Sequence, residues 1–515
     1  MIPTKFDFND LIVLDLANNH QGDIKHALNI IKSMGEVVRK HGVKVGIKFQ
    51  FRQMDSFIHP DHHEGSDNKH IPRFLATRLT NDEYKILFNE IRAQGLLTIC
   101  TPFDEESVDI IEEFDFDVIK IASCSATDWP LLQRVSEANK PIIFSTGGIL
   151  LPAVDSLVSF FDHRGNDYAI MHCVSIYPTP DELCNLANIA TLKQRYTNRV
   201  IGWSTHEDPN DTAPVMIAAA QGAQMFERHI GMNTETTTLN AYSSTPEQVD
   251  KWIEALLKAK SILGSQDRLE PQKVEIDAIN SLQRGVFAKV DLNKGDYLTR
   301  DNVFFAMPYS PGQLTSGTWS DAITLNSPIK AKQIISMEAS EIPAPAPVTA
   351  LKTAVHEVKS LLNLAGVKLN SEFEIEYSNH YGYENFQKCG VVIINCINRE
   401  YCKKILVQLA GQVHPLHYHK RKEETFQVLS GELKTELDGV TRTLQPGDTQ
   451  LVMPGVWHRF WTDTGCVFEE VSSTHYNNDS VYQDPKIAKM ERAERKTVVD
   501  HWGRFQLLDE AKIKR

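Results

Sequence analysis

The chain has 515 residues, which is too long for one hydrophobic core, so we expect two to four domains. The formal net charge of −13 argues against nucleic acid as the main partner, although a local cluster of lysines or arginines could still hold a small anion. No apolar run approaches the roughly 20 residues of a membrane span, and MIPTKFDFND lacks a signal-peptide pattern, so we expect no membrane partner. The eight cysteines show no CxxC spacing, which predicts a cytoplasmic protein with reduced thiols.

Residues 1–265 alternate short β-type runs with helical stretches such as DIKHALNIIKSMGEVVRK. Eight runs are typical of strands: LIVLDLA (11–17), KVGIKFQ (44–50), LLTICT (96–101), DVIKIAS (117–123), PIIFST (141–146), YAIMHCV (168–174), RVIGWS (199–204) and AQMFERHI (223–230). Eight strand–helix units in about 250 residues predict a (β/α)8 TIM barrel. The alternative is an open doubly wound sheet, but no glycine-rich dinucleotide turn follows the first strand.

The rest of the chain predicts a multidomain α/β protein. Residues 281–338 carry β-type runs around the turn NKGD and predict a small β-rich domain. Residues 339–355, which include ASEIPAPAPVTA, are predicted to be an extended alanine–proline linker. The runs GVVIINCI, KKILVQLA, ETFQVLS and LKTELDG predict a small β-barrel at 356–484, and the charged tail at 485–515 is predicted to be helical.

Polar residues follow the predicted barrel strands at their C-terminal ends, where barrel enzymes carry their sites. Lys48 and Lys120 lie inside apolar strands, which is costly without a partner anion. They predict a small ligand that carries carboxylate and phosphate, and hydroxyls of neighbouring strands could complete the cradle: Thr101, Ser123, Ser145 and Ser204. His206 and His229, on adjacent strands, suit a catalytic divalent metal, and the alternative is a pair of hydrogen-bonded strand histidines.

A set of motifs in the barrel resembles the sialic acid synthase family in order and spacing. The motifs are NNHQG (18–22), KFQ (48–50), TPFDEESVD (101–109), KIAS (120–123), STGG (145–148), HCVSIYPTP (172–180), IGWSTH (201–206) and ERHI (227–230). The segment RGVFAKVDLNKGDYLTRDNVFF is similar to the antifreeze-like (SAF) domain that follows the barrel in that family. The resemblance covers about 340 residues.

The resemblance implies that phosphoenolpyruvate condenses with the aldehyde of an open-chain aldose such as N-acetylmannosamine, giving a 3-deoxy-2-ulosonic acid and phosphate. It implies that Asp15 acts on the attacking water and that His206 and His229 bind Mn²⁺ or Mg²⁺. By position, phosphoenolpyruvate would be held by Lys48, Lys120, Thr101, Ser123, Ser145 and Ser204, and the sugar would contact Gln50, Ser175, Tyr177 and Glu227. The family also implies a domain-swapped homodimer.

The sequence departs from the family pattern at four positions. Asp15 stands where glutamate is usual, Ser175 where asparagine is usual, and Met307 where an arginine precedes a proline. The aspartate expected after the last strand is missing from TTTLNAYSST. These departures favour a different hexose, such as one without an acetamido group. Lys69 and Arg73, in HHEGSDNKHIPRF, could bind an extra anion such as a sugar phosphate, or could belong to a plain polar loop.

Residues 411–431 and 447–458 fit the two motifs of a cupin barrel, with glycines at positions 411, 431, 447 and 455. The predicted ligands of a Mn²⁺, Fe²⁺, Ni²⁺ or Zn²⁺ ion are His417, His419, Glu424 and His458, and the alternative is a metal-free cupin. SNHYGYENFQKCG and FEEVSSTHYNNDSVYQD are similar to segments of D-lyxose isomerase-like cupins. That resemblance implies an aldose–ketose isomerase with Glu469 or Glu470 as the base, and the rival interpretation is a sugar-sensing or structural cupin.

Three hypotheses for the whole protein therefore stand. The first is a synthase that makes a sialic-acid-like sugar for a cell-surface glycan. The second is a non-catalytic sugar-binding protein, which Asp15 and Met307 favour. The third is an ulosonate synthase that acts on a sugar phosphate, which Lys69 and Arg73 favour.

Overall fold

The computed structural model describes residues 5–235, 238–265, 268–343, 347–369, 373–382 and 385–499. The chain divides into two compact units, Met1–Glu270 and Pro271–Arg515. Within the described ranges, no helix combines the length and the apolar composition that crossing a lipid bilayer requires.

The first unit is a closed barrel of eight parallel strands in sequential order, so the predicted (β/α)8 barrel is confirmed. The strands are β1 (Ile12–Asp15), β2 (Val45–Phe51), β3 (Leu97–Pro102), β4 (Val118–Ile121), β5 (Ile142–Ser145), β6 (Tyr168–Cys173), β7 (Ile201–Thr205) and β8 (Met225–His229). β8 pairs with β1 to close the barrel, and the register places Asp15 opposite His229 on one side and Lys48 on the other. Three predicted site residues, Asp15, Lys48 and His229, therefore lie side by side at the same level of the barrel.

Helices surround these strands in the same unit. They are α1 (Ile24–His41), α2 (Met54–Phe57), α3 (Ile71–Ala76), α4 (Asn81–Ala93), α5 (Glu105–Phe114), α6 (Trp129–Glu137), α7 (Leu151–Arg164), α8 (Ala187–Arg195), α9 (Ala213–Ala220) and α10 (Pro246–Leu263). Asp23 caps α1 by accepting hydrogen bonds from the backbone N–H groups of residues 25 and 26, and Gly42 ends the helix in the left-handed region. The strands are apolar on both faces because the helices cover one face and the barrel interior the other.

Each of the two faces of the strands has its own apolar cluster. Val13, Ile143 and Met225 belong to the cluster that fills the barrel interior. A larger cluster contains both strand residues and helix residues such as Ile30 and Leu256. The interior is therefore packed, which leaves the ends of the strands as the place for a polar site.

The second unit begins with α11 (Lys273–Leu282) and a small β-rich region. Its strands are β9 (Gly285–Ala288), β10 (Val303–Ala306), β11 (Thr324–Leu325) and β12 (Ser340–Glu341). These short strands pair antiparallel, β9 with β10 and β11 with β12, around a core of its own that includes Leu298, Leu314 and Ile335. The small β-rich character agrees with the sequence, and the SAF identity of the region stays a prediction.

Two antiparallel sheets form the rest of the second unit, as expected of a cupin. The strands are β13 (Glu374–Ser378), β14 (Val391–Asn398), β15 (Tyr401–Gln408), β16 (His417–His419), β17 (Glu424–Gly431), β18 (Leu433–Leu437), β19 (Val440–Leu444), β20 (Thr449–Val452), β21 (His458–Trp461), β22 (Cys466–Ser473), β23 (Ser480–Tyr482) and β24 (Lys496–Val499). The seven-stranded sheet has the order β20-β17-β22-β15-β14-β13-β24, and the five-stranded sheet has the order β19-β18-β21-β16-β23. Phe426, Phe460 and Phe468 pack in one cluster built from strands of both sheets.

Two connecting segments differ from the sequence-based expectation. Helix α12 (Pro347–Leu364) begins inside the predicted extended linker. Val355, Val358 and Leu362 lie three or four residues apart on one face of α12 and are buried in a core cluster with sheet residues, and this burial favours helix over an extended linker. In the predicted helical tail, α13 (Pro485–Lys489) and α14 (Arg492–Arg495) are short, and β24 then pairs with β13. The remainder of that tail, from residue 500, lies outside the described residues.

Candidate functional site

Two buried lysines meet one glutamate at the C-terminal ends of the barrel strands. Lys48 on β2 and Lys120 on β4 both pair with Glu227 on β8, and the Lys120 Nζ–Glu227 Oε2 distance is 2.8 Å. Lys48 Nζ also lies 3.0 Å from Asp15 Oδ2. All four side chains are at most 7% exposed. We call this group, Asp15, Lys48, Lys120 and Glu227, the barrel lysine cluster.

The charges in the barrel lysine cluster shift one another's pKa values. Burial alone lowers the pKa of Lys48, but Asp15 and Glu227 together raise it above its ordinary value. For Lys120 burial dominates, and its pKa is lowered despite the opposing effect of Glu227. Burial raises the pKa of Glu227, but the two ammonium groups outweigh burial and hold that pKa far below its ordinary value. The cluster therefore sets two lysines against two acidic side chains in a low-dielectric setting.

One of the hydroxyls predicted for the cradle contacts Lys120, and the others belong to neighbouring strand ends. Ser145 accepts a hydrogen bond from the Lys120 ammonium group, and Ser123 Oγ accepts one from the backbone N–H of Gly147 at 3.0 Å. A Cβ atom at Gly147 would collide with the hydroxyls of Ser123 and Ser175, so only glycine lets both approach this turn. Thr101 Oγ1 is buried without a hydrogen-bond partner, and Ser204 on β7 is also buried.

His206 and His229 lie side by side, with ring centroids 5.2 Å apart. His206 Nδ1 is 2.9 Å from the carbonyl oxygen of Val174, to which it donates in the neutral tautomer, so Nε2 remains free. Burial lowers the pKa of His206 to about 3, and the neighbouring His229 adds to that effect. His229 Nδ1 lies 3.2 Å from Asp15 Oδ2 but lacks hydrogen-bond geometry. Burial likewise lowers the pKa of His229, so both imidazoles are neutral near pH 7.

Aromatic rings cover the two histidines. The Tyr177 ring lies 4.2 Å from the His206 ring, and the Tyr242 ring lies 5.3 Å from the His229 ring. Tyr177 is half exposed, so it stands at the mouth of the barrel. The side chain of Arg73, from α3, interacts with Tyr242, whereas Lys69 is exposed in the loop before α3.

Two residues predicted to contact the sugar have protein partners in the structure. Glu227 lies between the two lysines, where it serves as their counterion. Gln50 donates a hydrogen bond to Asp15 Oδ2 at 3.1 Å and accepts one from Arg52 Nη2 at 3.0 Å. Sequence reasoning missed Arg52, although the strand period of two places positions 48, 50 and 52 on one face.

The cupin contains a second cluster. The ligand nitrogens of His417, His419 and His458 lie within 4.8 Å of one another, and all three residues are buried. His417 and His458 face each other across β16 and β21. Glu424 Oε1 lies 3.3 Å from His419 Nε2, and Glu424 Oε2 lies 3.2 Å from His458 Nε2. The structure therefore brings all four predicted ligands together.

The Nδ1 atoms of these histidines have partners of their own. His417 Nδ1 is 2.9 Å from the carbonyl of Pro415, and His458 Nδ1 is 3.0 Å from the carbonyl of Val456. His419 Nδ1 is 3.2 Å from Ser480 Oγ. Contacts of this kind fix the rings and direct Nε2 toward the cluster centre, as the partners of metal-binding histidines do.

A lysine–glutamate network lies beside the cupin histidines. Lys404 and Lys422 each donate a hydrogen bond to Glu470 Oε1 at 3.0 Å, and Lys422 also pairs with Glu424. We call this group, Lys404, Lys422, Glu424 and Glu470, the cupin lysine network. Sequence reasoning missed both lysines, although Lys422 precedes Glu424 by two residues and so shares its face. Although burial raises the pKa of Glu424, Lys422 and His419 hold it well below its ordinary value.

The two candidate bases of the cupin point to opposite faces of β22. Glu470 is buried, and its carboxylate also accepts a hydrogen bond from Ser472 at 3.0 Å. Glu469 instead pairs with Lys403 at 2.8 Å, and Lys403 is 44% exposed. Only Glu470 therefore shares the interior with the histidines.

Known proteins resemble both parts of the chain. A family model described as the NeuB family matches residues 36–268, and a model described as a cupin domain matches residues 405–468. An uncharacterized protein, MJ1065, of Methanocaldococcus jannaschii is 31% identical over 299 residues, which are 58% of this chain and 84% of the relative. Pseudaminic acid synthase of Campylobacter jejuni subsp. jejuni serotype O:2 is 27% identical over 307 residues, which are 58% of this chain and 87% of that enzyme.

A solved structure supports the likeness at the level of the fold. The structure, from Chromobacterium violaceum and named for spore coat polysaccharide biosynthesis protein E, is 43% identical to this chain. The match covers 64% of this chain and 99% of the other, with a TM-score of 0.62.

Proposed function

The chain belongs to the NeuB family, and on that premise we propose that its barrel is an ulosonate synthase that condenses phosphoenolpyruvate with an open-chain aldose. The observation that carries this proposal is the barrel lysine cluster, in which two buried ammonium groups from different strands converge beside the cradle hydroxyls. Two ammonium groups and several hydroxyls in one place offer many hydrogen-bond donors, and these suit a small anion that carries carboxylate and phosphate.

In the proposed reaction, C3 of phosphoenolpyruvate bonds to the aldehyde carbon, and the aldehyde oxygen becomes a hydroxyl by taking up a proton. The electron-poor C2 that remains is captured by water, which loses its proton. The adduct then releases inorganic phosphate and leaves the 2-keto acid. Lys48 and Lys120 hold the anionic oxygens and favour the departure of phosphate.

We assign to Asp15 the role of acting on the water. Its carboxylate lies 3.0 Å from Lys48 Nζ and 3.1 Å from Gln50 Nε2, and it accepts a hydrogen bond from the backbone N–H of Ala17 at 2.9 Å. These contacts fix its orientation, and a fixed carboxylate at the end of β1 can orient the water and take its proton.

His206 and His229 fit a divalent cation, for which we propose Mn²⁺ or Mg²⁺. Their rings are adjacent, the Nδ1 contact of His206 leaves Nε2 free, and His229 Nδ1 is buried without a hydrogen-bond partner. Neutral imidazole is the form that binds metals. A cation held there would supply Lewis-acid polarisation of the aldehyde.

The acceptor is proposed to be a hexose other than an acetamido sugar. Ser175 and Met307 replace residues that the family uses, and Asn240 lies in the segment where an acidic residue is expected. Asn240 Nδ2 donates a hydrogen bond to Asn19 Oδ1 at 3.2 Å, so a neutral amide pair occupies this position. An uncharged pair favours hydroxyl contacts over charged ones.

Phosphate release with phosphoenolpyruvate, Mn²⁺ and a panel of free and phosphorylated aldoses tests the proposal. We expect release with at least one open-chain aldose and none without an aldose. Turnover of phosphorylated members alone would select the sugar-phosphate alternative, which the contact between Arg73 and Tyr242 favours. Absence of release with every aldose would overturn the synthase and leave a sugar-binding protein.

For the cupin, we propose a metal-dependent aldose–ketose isomerase with Glu470 as the base. The histidine–glutamate set suits Mn²⁺, Fe²⁺, Ni²⁺ or Zn²⁺. The buried atoms Glu424 Oε2 and His458 Nε2 lie 3.2 Å apart without a hydrogen bond, as expected of groups arranged around a cation. A cation there would hold two neighbouring substrate oxygens while a base moves a proton between their carbons.

Solvent deuterium exchange into a sugar tests the cupin proposal. The full chain carrying Lys120→Met keeps the barrel silent, so that any exchange comes from the cupin. Adding Glu470→Gln should abolish exchange, whereas adding Glu469→Gln should leave it unchanged because Glu469 faces away from the histidines. If the Lys120→Met protein, without a second substitution, exchanges no deuterium into any of a panel of aldoses, the sensing or structural cupin is favoured.

Two further features belong to the same proposal. We place the protein in the cytoplasm, because all eight cysteines are free thiols. We also propose the domain-swapped homodimer that the family resemblance implies. Sedimentation equilibrium tests the dimer, and a mass of one chain at micromolar concentration would exclude it.

A further inference from the structure

Arg52 follows β2 directly and is clamped between two aromatic rings. Its guanidinium carbon lies 4.1 Å from the centroid of Phe74 and 3.6 Å from the centroid of Phe103. Rings on both faces leave only the edge of the guanidinium plane for hydrogen bonds. Arg52 therefore presents its donors in one fixed plane.

Most of that edge has no protein partner. Nη2 donates to Gln50 Oε1 at 3.0 Å, while Nε is buried and makes no hydrogen bond. None of the ion pairs among the described residues involves Arg52. Burial lowers the pKa of Arg52 to about 10, so the group is still charged at pH 7. A half-buried guanidinium group with a buried donor that lacks a partner is costly unless an anion completes it.

A cavity of about 390 Å³ adjoins this residue and reaches the ends of β1 and β2. Its lining includes Asn18, Gln50 and Arg52. Gln50 also donates to Asp15, so one side chain belongs both to the cavity and to the edge of the barrel lysine cluster. The volume lies within the range of small-ligand sites and far exceeds that of one water.

Arg78 also lines the cavity, but its charge is already compensated. It forms a two-pronged pair with Asp55 at 3.0 and 2.8 Å. Arg52 is thus the cation of this cavity that lacks a carboxylate partner within the described part of the chain.

We infer that Arg52 binds an anionic substituent of the acceptor sugar, a carboxylate or a phosphate, in this cavity. The inference rests on the proposed condensation and assigns its acceptor to the class of acidic sugars. The planar guanidinium would donate through Nε and its free edge to two anionic oxygens, while Gln50 holds the other side. The proposed condensation assigns Lys48 and Lys120 to phosphoenolpyruvate, so they leave this second charge to Arg52.

The test measures phosphate release with three matched acceptors: an aldohexose, its 6-phosphate and its 6-carboxylate. We expect the wild type to prefer at least one charged acceptor in kcat/KM. Arg52→Met keeps the contacts with both rings and should lower that preference roughly 10- to 100-fold, the range for hydrogen bonds to charged groups. The KM for phosphoenolpyruvate should not change. Whichever charged acceptor the wild type prefers, the 6-phosphate or the 6-carboxylate, identifies the anionic group that the site binds.

Two further variants make the result specific. Arg52→Lys keeps the charge but not the planar fork, so it should restore only part of the preference. Arg164→Met removes another arginine that stacks on a phenylalanine, 3.9 Å from the Phe160 centroid, and should leave all three acceptors unaffected. A wild type that prefers the neutral sugar, or an Arg52→Met variant that lowers all three rates equally, would overturn the inference while the synthase stands.

A binding measurement separates the two proposals if no aldose is turned over. Titration calorimetry without phosphoenolpyruvate compares hexose 6-phosphate and hexuronate on wild type and Arg52→Met. Binding that needs Arg52 would sustain the anion site even if the synthase proposal failed. Equal binding, or none, would overturn the anion site.

Discussion

The barrel and the cupin each bury two lysines on one glutamate. In the barrel the shared residue is Glu227, and in the cupin it is Glu470. In each, one lysine also reaches a second carboxylate that lies beside histidines, Asp15 in the barrel and Glu424 in the cupin. The same ionic arrangement thus occurs in two unrelated folds.

The neighbours of the lysines differ. In the barrel, Lys120 touches the hydroxyl of Ser145, and Thr101 Oγ1 remains without a partner. In the cupin, three imidazoles converge within 4.8 Å. Hydroxyls and ammonium groups suit an anion, whereas converging imidazoles suit a metal. The groups around the ion pairs therefore determine which kind of ligand each site can bind.

The largest expected effect is on phosphate release, and it comes from replacing one lysine in the barrel and, for comparison, one in the cupin. Lys120→Met should lower kcat/KM for phosphate release at least about 10³-fold, because it removes a cation at the departing phosphate. Lys422→Met should leave that rate unchanged and weaken the cupin metal instead. Equal effects of the two variants on phosphate release would contradict the assignment.

Loss of folding is the main confounder of that prediction, because removing one partner of a buried ion pair costs about 3–5 kcal/mol and leaves Glu227 with Lys48 alone. The double variant Lys120→Met/Glu227→Gln removes both charges. It should regain stability in urea unfolding while staying inactive. A double variant that regained activity would show that Lys120 acts only through stability.

The next effect concerns the histidine contacts that distinguish the cupin. Ser480→Ala removes the partner of His419 Nδ1 and should weaken the affinity of the cupin for its divalent metal roughly 10- to 100-fold. Ser473→Ala is the matched control, because its hydroxyl accepts a hydrogen bond from the backbone of Glu423 instead. Metal titration followed by calorimetry measures both, and equal affinities would remove Ser480 from the site.

The smallest effect is a loss of stability in acid that both units share. Burial lowers the pKa of His20 in the barrel to about 4 and that of His380 in the cupin to about 3. Unfolded histidine takes up a proton below about pH 6.5, whereas these folded residues stay neutral, so stability is complete above that pH and is lost as pH falls. Each residue should account for roughly 1 kcal/mol between pH 7.5 and 5.5.

Urea unfolding at those two pH values measures this loss. His20→Asn keeps an acceptor near the backbone of Gly22, and His380→Gln keeps one near Tyr482, but neither can take up a proton. Each variant should flatten the pH dependence by one residue's share. An unchanged pH dependence would mean that the histidines are already protonated in the folded protein.

Much of the fold could be predicted because the strands are buried on both faces. The run PIIFST, for example, is apolar as far as Phe144 and ends in the polar residues Ser145 and Thr146, which is the pattern of parallel barrel strands. The predicted linker failed at α12, since the alanine–proline run obscured the helical spacing of Val355, Val358 and Leu362. The composition of that segment predicted an extended linker, but the burial of its apolar face favours a helix.

The candidate site could be predicted residue by residue but not contact by contact. The sequence left Glu469 and Glu470 as equal candidates for the base, and only the packing of the two sheets shows that Glu470 faces the histidines. Arg52 shares a face with Lys48, but its ring clamp comes from Phe74 and Phe103, which are distant in sequence.

The sequence alone therefore determined the barrel, the cupin and the residue types at their centres, because hydrophobic period and motif spacing are local properties. The tertiary structure decided which charges meet. Glu227 lies between lysines of β2 and β4 because closure of the barrel brings strands from distant parts of the chain to one mouth. Ion pairing depends on distance and burial in three dimensions, which no spacing along the chain encodes.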